Sequence, residues 1–378
     1  MTDSNAGMSR HALVVDDDPH INRLLQVRLR SAGFEVRSAV DGEHAVEQIE
    51  ASPPDLMLLD VSMPGMGGLD VLRWIRERRL DIAVIMSTAF GSEQVAIEAL
   101  RLGADDYLRK PFETTEFKAV VERTASRLFL RRENEALRRQ LNAELLRAAE
   151  IQASLLPPSP PTLDGYDVAA ICHPAREVGG DFYDWQMLPD GSLSVLIGDV
   201  MGKGMPAALL MATVRAALRP VLAMQGPADG LRQVEAALTN DLERSGSFVT
   251  LFVARLDPSR HAVEYVDAGH GLAVVTRADG RSTNLATRSL PLGVFPGMDV
   301  QHETLELDPG DALILYSDGL VDSLPGACLS PGELASHVAG AGSAEAIAGR
   351  LAALIPNDTP YVDDVTVTVL RRETGSNP

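Results

Sequence analysis

Short apolar runs alternate with amphipathic stretches over residues 11–125. The runs are ALVV (12–15), FEVRSA (34–39), LMLLD (56–60), AVIMST (83–88) and DDYLRK (105–110). Between them, stretches such as INRLLQVRLRSAG and EQVAIEALRLG repeat their apolar residues at helical spacing. Gly33 and Gly103 fall where helix C-caps are expected. Strands alternating with helices predict a doubly wound α/β parallel sheet, whose sites form at the carboxyl ends of the strands.

From Thr115 to Leu156 the chain has no glycine or proline and is rich in Arg, Glu, Leu and Ala. Leu130, Leu137, Leu141, Ile151 and Leu155 recur at helical spacing, with Asn134 and Glu144 on seam positions of an imperfect heptad. About 40 helical residues reach roughly 60 Å. A helix with one apolar stripe pairs with another helix or lies on its own domain, and a dimeric coiled coil is the reading favoured here. LLPPSPP (155–161) ends it. From Tyr166 on, β-rich runs such as LSVLIGD, FVTLFVARLD, AVEYVDAGH, DALILYSDG and VTVTVL are divided by turn signals. Helical stretches at 205–224, 228–244 and near 343–355 interrupt them. That order predicts an α+β sandwich with an antiparallel core.

The net charge of −19 argues against nucleic acid or an anionic membrane as main partner. The charge is uneven: −7 over 1–125, +2 over 126–156 and −14 over the remainder. The two cysteines, Cys172 and Cys328, lack metal-ligand spacing and read as small core residues in a reducing compartment. The first eleven residues are polar, and no apolar run approaches the roughly 20 residues that span a bilayer. A soluble cytoplasmic protein is expected.

Carboxylates then recur at strand ends. Burying an unpaired charge is costly, so such positions serve cations or chemistry rather than packing. Asp16 and Asp17 follow LVV, Asp60 follows LMLL, and Thr88 and Lys110 fall at later strand ends. Three close carboxylates need a cation, and hard oxygen ligands suit Mg²⁺. Lys110 is placed to neutralise an added phosphate and Thr88 to hydrogen-bond one. VVDDDP, LLDVSMPGMGG, STA and YLRKPF resemble the receiver domain of two-component response regulators over about 9–125. The resemblance implies a flavodoxin-like fold with Asp60 as phospho-acceptor. It assigns Asp16, Asp17, Asp60 and the Ser62 carbonyl to Mg²⁺, and Thr88 and Lys110 to the phosphoryl group. Tyr107 is the aromatic that follows Thr88. Asp18 reads as the cap of the next helix, with Pro19 at its start.

A second set lies in EVGGDFYD (Asp181), LIGDVMGKG (Asp199), LILYSDG (Asp318) and YVDDVTVTV (Asp363, Asp364). The two glycines before Asp181 allow close backbone approach. Strand-end aspartates without histidine or cysteine of metal spacing imply hard divalent cations rather than zinc. Two such cations serve in-line displacement at phosphorus. GKG here is no nucleotide loop, since GxxxxGK[ST] is absent. His270 in DAGHG is either a structural turn residue or an acid or ligand. Arg176, five residues before Asp181, either grips a phosphate or is a solvated surface arginine.

IQASLLPP, PAREVGGDFYDW, GDVMGKGMPAAL, FVTLFVARLD, AGHG, LPLGV, PGDALILYSDGLVDS and DDVTVTV resemble the stage-II-sporulation-E type of bacterial serine/threonine phosphatase, within the protein phosphatase 2C-like superfamily. The resemblance covers about 145–371. It implies two Mn²⁺ or Mg²⁺ ions held by Asp181, Asp199, Asp318 and Asp363, with the Val200 carbonyl as a further ligand and Asp364 as an alternative to Asp363. Eukaryotic members place a histidine close after the equivalent of Asp199, where this chain has VMGKG, so no general acid is assigned.

The expected organisation is a receiver domain over 9–125, a helical linker over 115–156 and a phosphatase domain over 157–371. The expected function is a response regulator whose phosphorylation at Asp60 controls a metal-dependent phosphatase. Its implied substrate is phosphoserine or phosphothreonine on a regulatory protein, typically an anti-sigma-factor antagonist. A sensor histidine kinase would be the phosphodonor, and a homodimer would form through the linker. The alternative is a phosphorylation-gated adaptor that binds a partner without catalysis.

Overall fold

A computed structural model describes residues 10–88, 93–295, 297, 299–324, 329–356 and 361–375. Cys328 lies outside the described residues. The chain divides into two units, Met1–Leu141 and Asn142–Pro378. In chain order the first contains β1 (Arg10–Val15), α1 (Pro19–Ser31), β2 (Phe34–Ala39), α2 (Gly42–Ala51), β3 (Leu56–Asp60), α3 (Gly68–Glu77), β4 (Ala83–Thr88), α4 (Glu93–Arg101) and β5 (Asp106–Arg109). Its parallel sheet has the order β2-β1-β3-β4-β5. β1, β3 and β4 are buried on both faces, which is why they read as unbroken apolar runs. Asp18 caps α1 as expected: its carboxylate accepts from His20 N at 2.7 Å and Ile21 N at 3.2 Å.

The boundary between the units falls inside α5, Thr114–Leu155. The first turns of α5 bury Phe117, Val120, Val121 and Leu128 with Val14, Leu25 and Leu58 on one face of the parallel sheet. Beyond them, Leu130, Leu137, Leu141 and Ile151 are each more than half exposed, at 61, 59, 59 and 64%.

The second unit continues with β6 (Tyr166–His173), β7 (Phe182–Met187), β8 (Leu193–Val200), α6 (Met205–Met224), α7 (Pro227–Ser245), β9 (Val249–Asp257), β10 (Ala262–Ala268), β11 (Ala273–Thr276) and β12 (Ser282–Asn284). β13 (Glu303–Glu306), β14 (Ala312–Tyr316), α8 (Asp318–Asp322), α9 (Pro331–Val338), α10 (Ala344–Ala352) and β15 (Val365–Arg372) complete it. Two antiparallel sheets, β13-β10-β9-β8-β7 and β12-β11-β14-β15-β6, pack face to face. Phe252, Trp185, Tyr265, Leu315 and Leu370 share the core between them. The helices α6 and α7 cover the first sheet, and α8, α9 and α10 the second.

One expectation needs correction. The helix α6 has a mean hydropathy of 1.5 over a span long enough to cross a bilayer, so an apolar run of that length does exist. Its apolar residues Ala207, Met211, Val214, Leu218 and Leu222 pack against α7 and the first sheet. It also carries Arg215 and Arg219, whose guanidinium groups both lie 3.1 Å from the buried Asp184 of β7. Its hydrophobicity is that of a core helix.

Candidate functional site

In the first unit, four candidate residues come from adjacent strands. Asp16 follows β1, Asp60 ends β3, Thr88 ends β4 and Lys110 follows β5. Lys110 Nζ lies 2.8 Å from Asp16 Oδ2 and 2.6 Å from Asp60 Oδ1, so one ammonium holds two buried carboxylates together. Burial pushes the Asp60 carboxyl above its usual range, although its hydrogen bond to Lys110 pulls the other way. Burial also works against the Lys110 charge, but hydrogen bonds to Asp16 and Asp60 outweigh it and raise its pKa. Lys110 N donates to the Thr88 carbonyl at 2.7 Å, tying the ends of β4 and β5. Ser62 N donates to Asp60 Oδ2 at 3.2 Å. Asp17 is exposed beside this cluster, Thr88 is buried, and Tyr107 is 44% exposed.

Asn22 was not singled out from sequence. It is buried on α1, and its amide donates to the carbonyls of Asp16 at 3.0 Å and Ala39 at 2.9 Å. It thus fixes the turn that presents Asp16. The readable signal was a polar residue on the apolar face of an amphipathic helix.

In the second unit, Asp181 precedes β7 and Asp199 lies near the end of β8, in one sheet. Asp318 opens α8 just after β14, and Asp363 and Asp364 precede β15, in the other. The carboxylates from both sheets meet at one end of the sandwich. Burial pushes Asp199 up to about 7, with the charges of Asp318, Asp363 and Asp364 adding to it. Burial and the Asp199 charge raise Asp181 well above its ordinary value, and one of its oxygens, Oδ2, is buried without a hydrogen-bond partner. Burial and the Asp363 charge raise Asp318.

The neighbours Asp363 and Asp364 are used differently. Asp364 accepts from Ala175 N at 2.8 Å, Gly180 N at 2.6 Å and Asp181 N at 3.3 Å. Its oxygens are engaged in shaping the loop before β7. Asp363 Oδ2 instead faces Lys203 Nζ at 2.7 Å. The glycines of EVGGD are required by contact: a Cβ on Gly179 would lie 2.1 Å from Asp364 Oδ2, and one on Gly180 would lie 2.6 Å from the Val200 carbonyl oxygen. Gly180 therefore packs against the very carbonyl expected to serve as a ligand. Arg176 is exposed, and its guanidinium sits beside the turn at Gly204.

Sequence reasoning missed Ser317, Thr366 and Gln152. The hydroxyls of Ser317 and Thr366 approach Asp181 and partly offset its burial. Gln152, on α5, bonds both backbone groups of Gly179. Among the described residues, no three carboxyl, imidazole or thiol groups close around a single point as a metal cage. The donor set still fits hard divalent cations. It offers oxygen only, includes the orphaned Asp181 Oδ2, and carries more negative charge than Lys203 offsets.

Residues 12–122 match the response regulator receiver domain family, and residues 189–373 match the family of stage II sporulation protein E. Protein IcfG of Synechocystis sp. is 32% identical over 207 residues, which is 48% of this chain and 33% of that protein. The chain spans a third to about half of the length of the curated relatives it matches. Among solved structures, the RsbU and RsbW domains of a Mycobacterium tuberculosis protein are similar with a TM-score of 0.50 and 29% identity, over 57% of this chain and 62% of that one. The SiaA-PP2C domain of Pseudomonas aeruginosa shares the fold, with a TM-score of 0.54 and 21% identity over 62% of this chain and 98% of that one. The chain carries a response regulator receiver domain over 12–122 and a stage II sporulation protein E-type domain over 189–373, the latter with a PP2C-like fold.

Proposed function

We propose that this protein is a cytoplasmic response regulator in which a phosphoryl group on Asp60 controls hydrolysis of a phosphoprotein by the second unit. The observation that carries the reading is the pair of strand-end carboxylate sets, one gathered by Lys110 and the other crowded around Asp199. A sensor histidine kinase is the phosphodonor. The Asp60 carboxylate attacks its phosphohistidine, the N–P bond breaks and an acyl phosphate forms. Asp16, Asp17, Asp60 and the Ser62 carbonyl would hold Mg²⁺. Lys110 and Thr88 bind the new phosphoryl oxygens, and Tyr107 follows Thr88.

In the second unit, Asp181, Asp199, Asp318, Asp363 and the Val200 carbonyl would hold two Mn²⁺ or Mg²⁺ ions. When bound, these ions supply Lewis acidity for displacement at phosphorus. Asp364 accepts from the amides of Ala175, Gly180 and Asp181 and so positions the loop before β7, a role that favours Asp363 over Asp364 as the ligand. Arg176, at the rim, binds the incoming phosphoryl group. The substrate class is phosphoserine or phosphothreonine on a small regulatory protein, an anti-sigma-factor antagonist. The exposed stripe Leu130, Leu137, Leu141 and Ile151 is the surface on which a second copy pairs.

The test is phosphate release from a phosphorylated antagonist in Mn²⁺ or Mg²⁺, with and without beryllofluoride, in wild type and Asp60→Ala. Release that beryllofluoride raises in wild type alone is the expected result. Equal turnover in all four arms refutes control through Asp60. Firm binding to an antagonist without any release would instead identify an adaptor.

A further inference from the structure

Gln152 lies in the last turns of α5, within the second unit. Its Nε2 donates to the Gly179 carbonyl at 2.7 Å, and its Oε1 accepts from Gly179 N at 3.1 Å. One side-chain amide thus satisfies both backbone groups of a buried residue. Gly179 in turn packs on the Asp364 carboxylate, where a Cβ would lie 2.1 Å away. That carboxylate accepts from Gly180 N at 2.6 Å and Asp181 N at 3.3 Å. An unbroken line of contacts runs from the helix to Asp181. A cavity of about 210 Å³, bordered by Ala149, Ala153, Cys172 and Asp181, lies alongside. The helix end thus meets the loop through two hydrogen bonds of one side-chain amide.

We infer that Gln152 is a positioning residue for the phosphatase centre: it holds Gly179, and through it Asp181, in the geometry that receives a divalent cation. The inference rests on the phosphatase reading. Consecutive glycines give the loop wide conformational freedom, so an external hold is needed to fix it. Displacing a ligand by about 1 Å is enough to weaken a site severely. Folding of the last turns of α5 then sets how well the site binds its cation.

The experiment uses the full chain with Mn²⁺ alone as probe, measured by titration calorimetry, and thermal unfolding in EDTA. Gln152→Met keeps the length and removes both bonds. Gln152→Glu keeps the acceptor and removes the donor. Mn²⁺ affinity is expected to fall about tenfold or more in Gln152→Met, with a smaller fall in Gln152→Glu. The midpoint in EDTA should stay within about 2 °C of wild type. Phosphatase activity should drop at limiting Mn²⁺ and recover at saturating Mn²⁺, which general damage would not produce. Unchanged Mn²⁺ affinity in both variants, or a loss that tracks a lowered midpoint, overturns the assignment. If Gln152→Met does not fold, Gln152→Glu decides by the same criteria. Wild type that binds Mn²⁺ yet releases no phosphate would sink the phosphatase reading while leaving the Gln152 result interpretable.

Discussion

Lys203 Nζ lies 2.7 Å from Asp363 Oδ2 and donates to the Val362 carbonyl at 2.7 Å. A lysine thus sits on a carboxylate proposed to hold a divalent cation, and the two positive charges compete for it. Lys203→Gln is expected to tighten Mn²⁺ binding a few-fold, because a partly exposed pair is worth at most about 1 kcal/mol. Titration calorimetry with Mn²⁺ checks this. Weaker binding in the variant would mean that Lys203 mainly staples the segment before β15 in place.

Lys110 offers the mirror experiment in the first unit. It is the cation within hydrogen-bond reach of both Asp16 and Asp60. Removing one partner of a buried pair leaves uncompensated charge and costs about 3 kcal/mol. Lys110→Met should therefore lower the midpoint of the first unit, and millimolar Mg²⁺ should recover most of the loss. Thermal unfolding with and without Mg²⁺ reads both effects. A midpoint that Mg²⁺ leaves unmoved would show that these carboxylates do not form a cation site.

The five strands of the parallel sheet lie within two residues of the apolar runs, and α5 within one residue of the uninterrupted helical stretch. Burial on both faces and the absence of glycine and proline make those signals strong. The short helices α8 and α9 were not anticipated. SDGLVDS reads as a turn, and the one good sign for α9 was Ser330 and Glu333, which form a capping box. The distinction between Asp363 and Asp364 is beyond sequence, because the two are identical in type and adjacent in the chain. Which one meets amides from residues 175–181 is decided only by folding. Gln152 was hidden for the same reason: its partner Gly179 lies 27 residues away.

Arg132 tests how firmly α5 is fixed to the first unit. Its guanidinium bonds Asp81 Oδ2 at 2.6 Å, the Asp81 carbonyl at 2.8 Å and Asp55 Oδ1 at 2.5 Å, and the adjacent Arg131 also pairs with Asp81. Burial works against the Asp81 charge, yet its bonds to Arg132 hold its carboxyl below the ordinary value. The groups are partly exposed, so Arg132→Ala should cost only about 1 kcal/mol. Its larger effect should be local: faster hydrogen exchange over residues 129–136, with the core of the sheet unchanged. Uniform acceleration across the unit would contradict a local clamp.

His270 supplies a pH dependence. It is buried, its Nε2 has no partner, and burial pushes its pKa from 6.5 down to about 4, against a smaller opposing contribution from the Tyr316 backbone. Above pH 6.5 the imidazole is neutral in both folded and unfolded chains, so it adds no slope. Between about 6.5 and 4 the unfolded chain takes up a proton that the folded chain refuses, and stability falls as pH falls. Across that window the loss amounts to about 3 kcal/mol. His270→Gln removes the titrating group. Urea unfolding in EDTA over this range should therefore show a shallower acid-side decline for the variant, whatever its stability at neutral pH. Parallel declines would show that His270 is not held neutral by the fold.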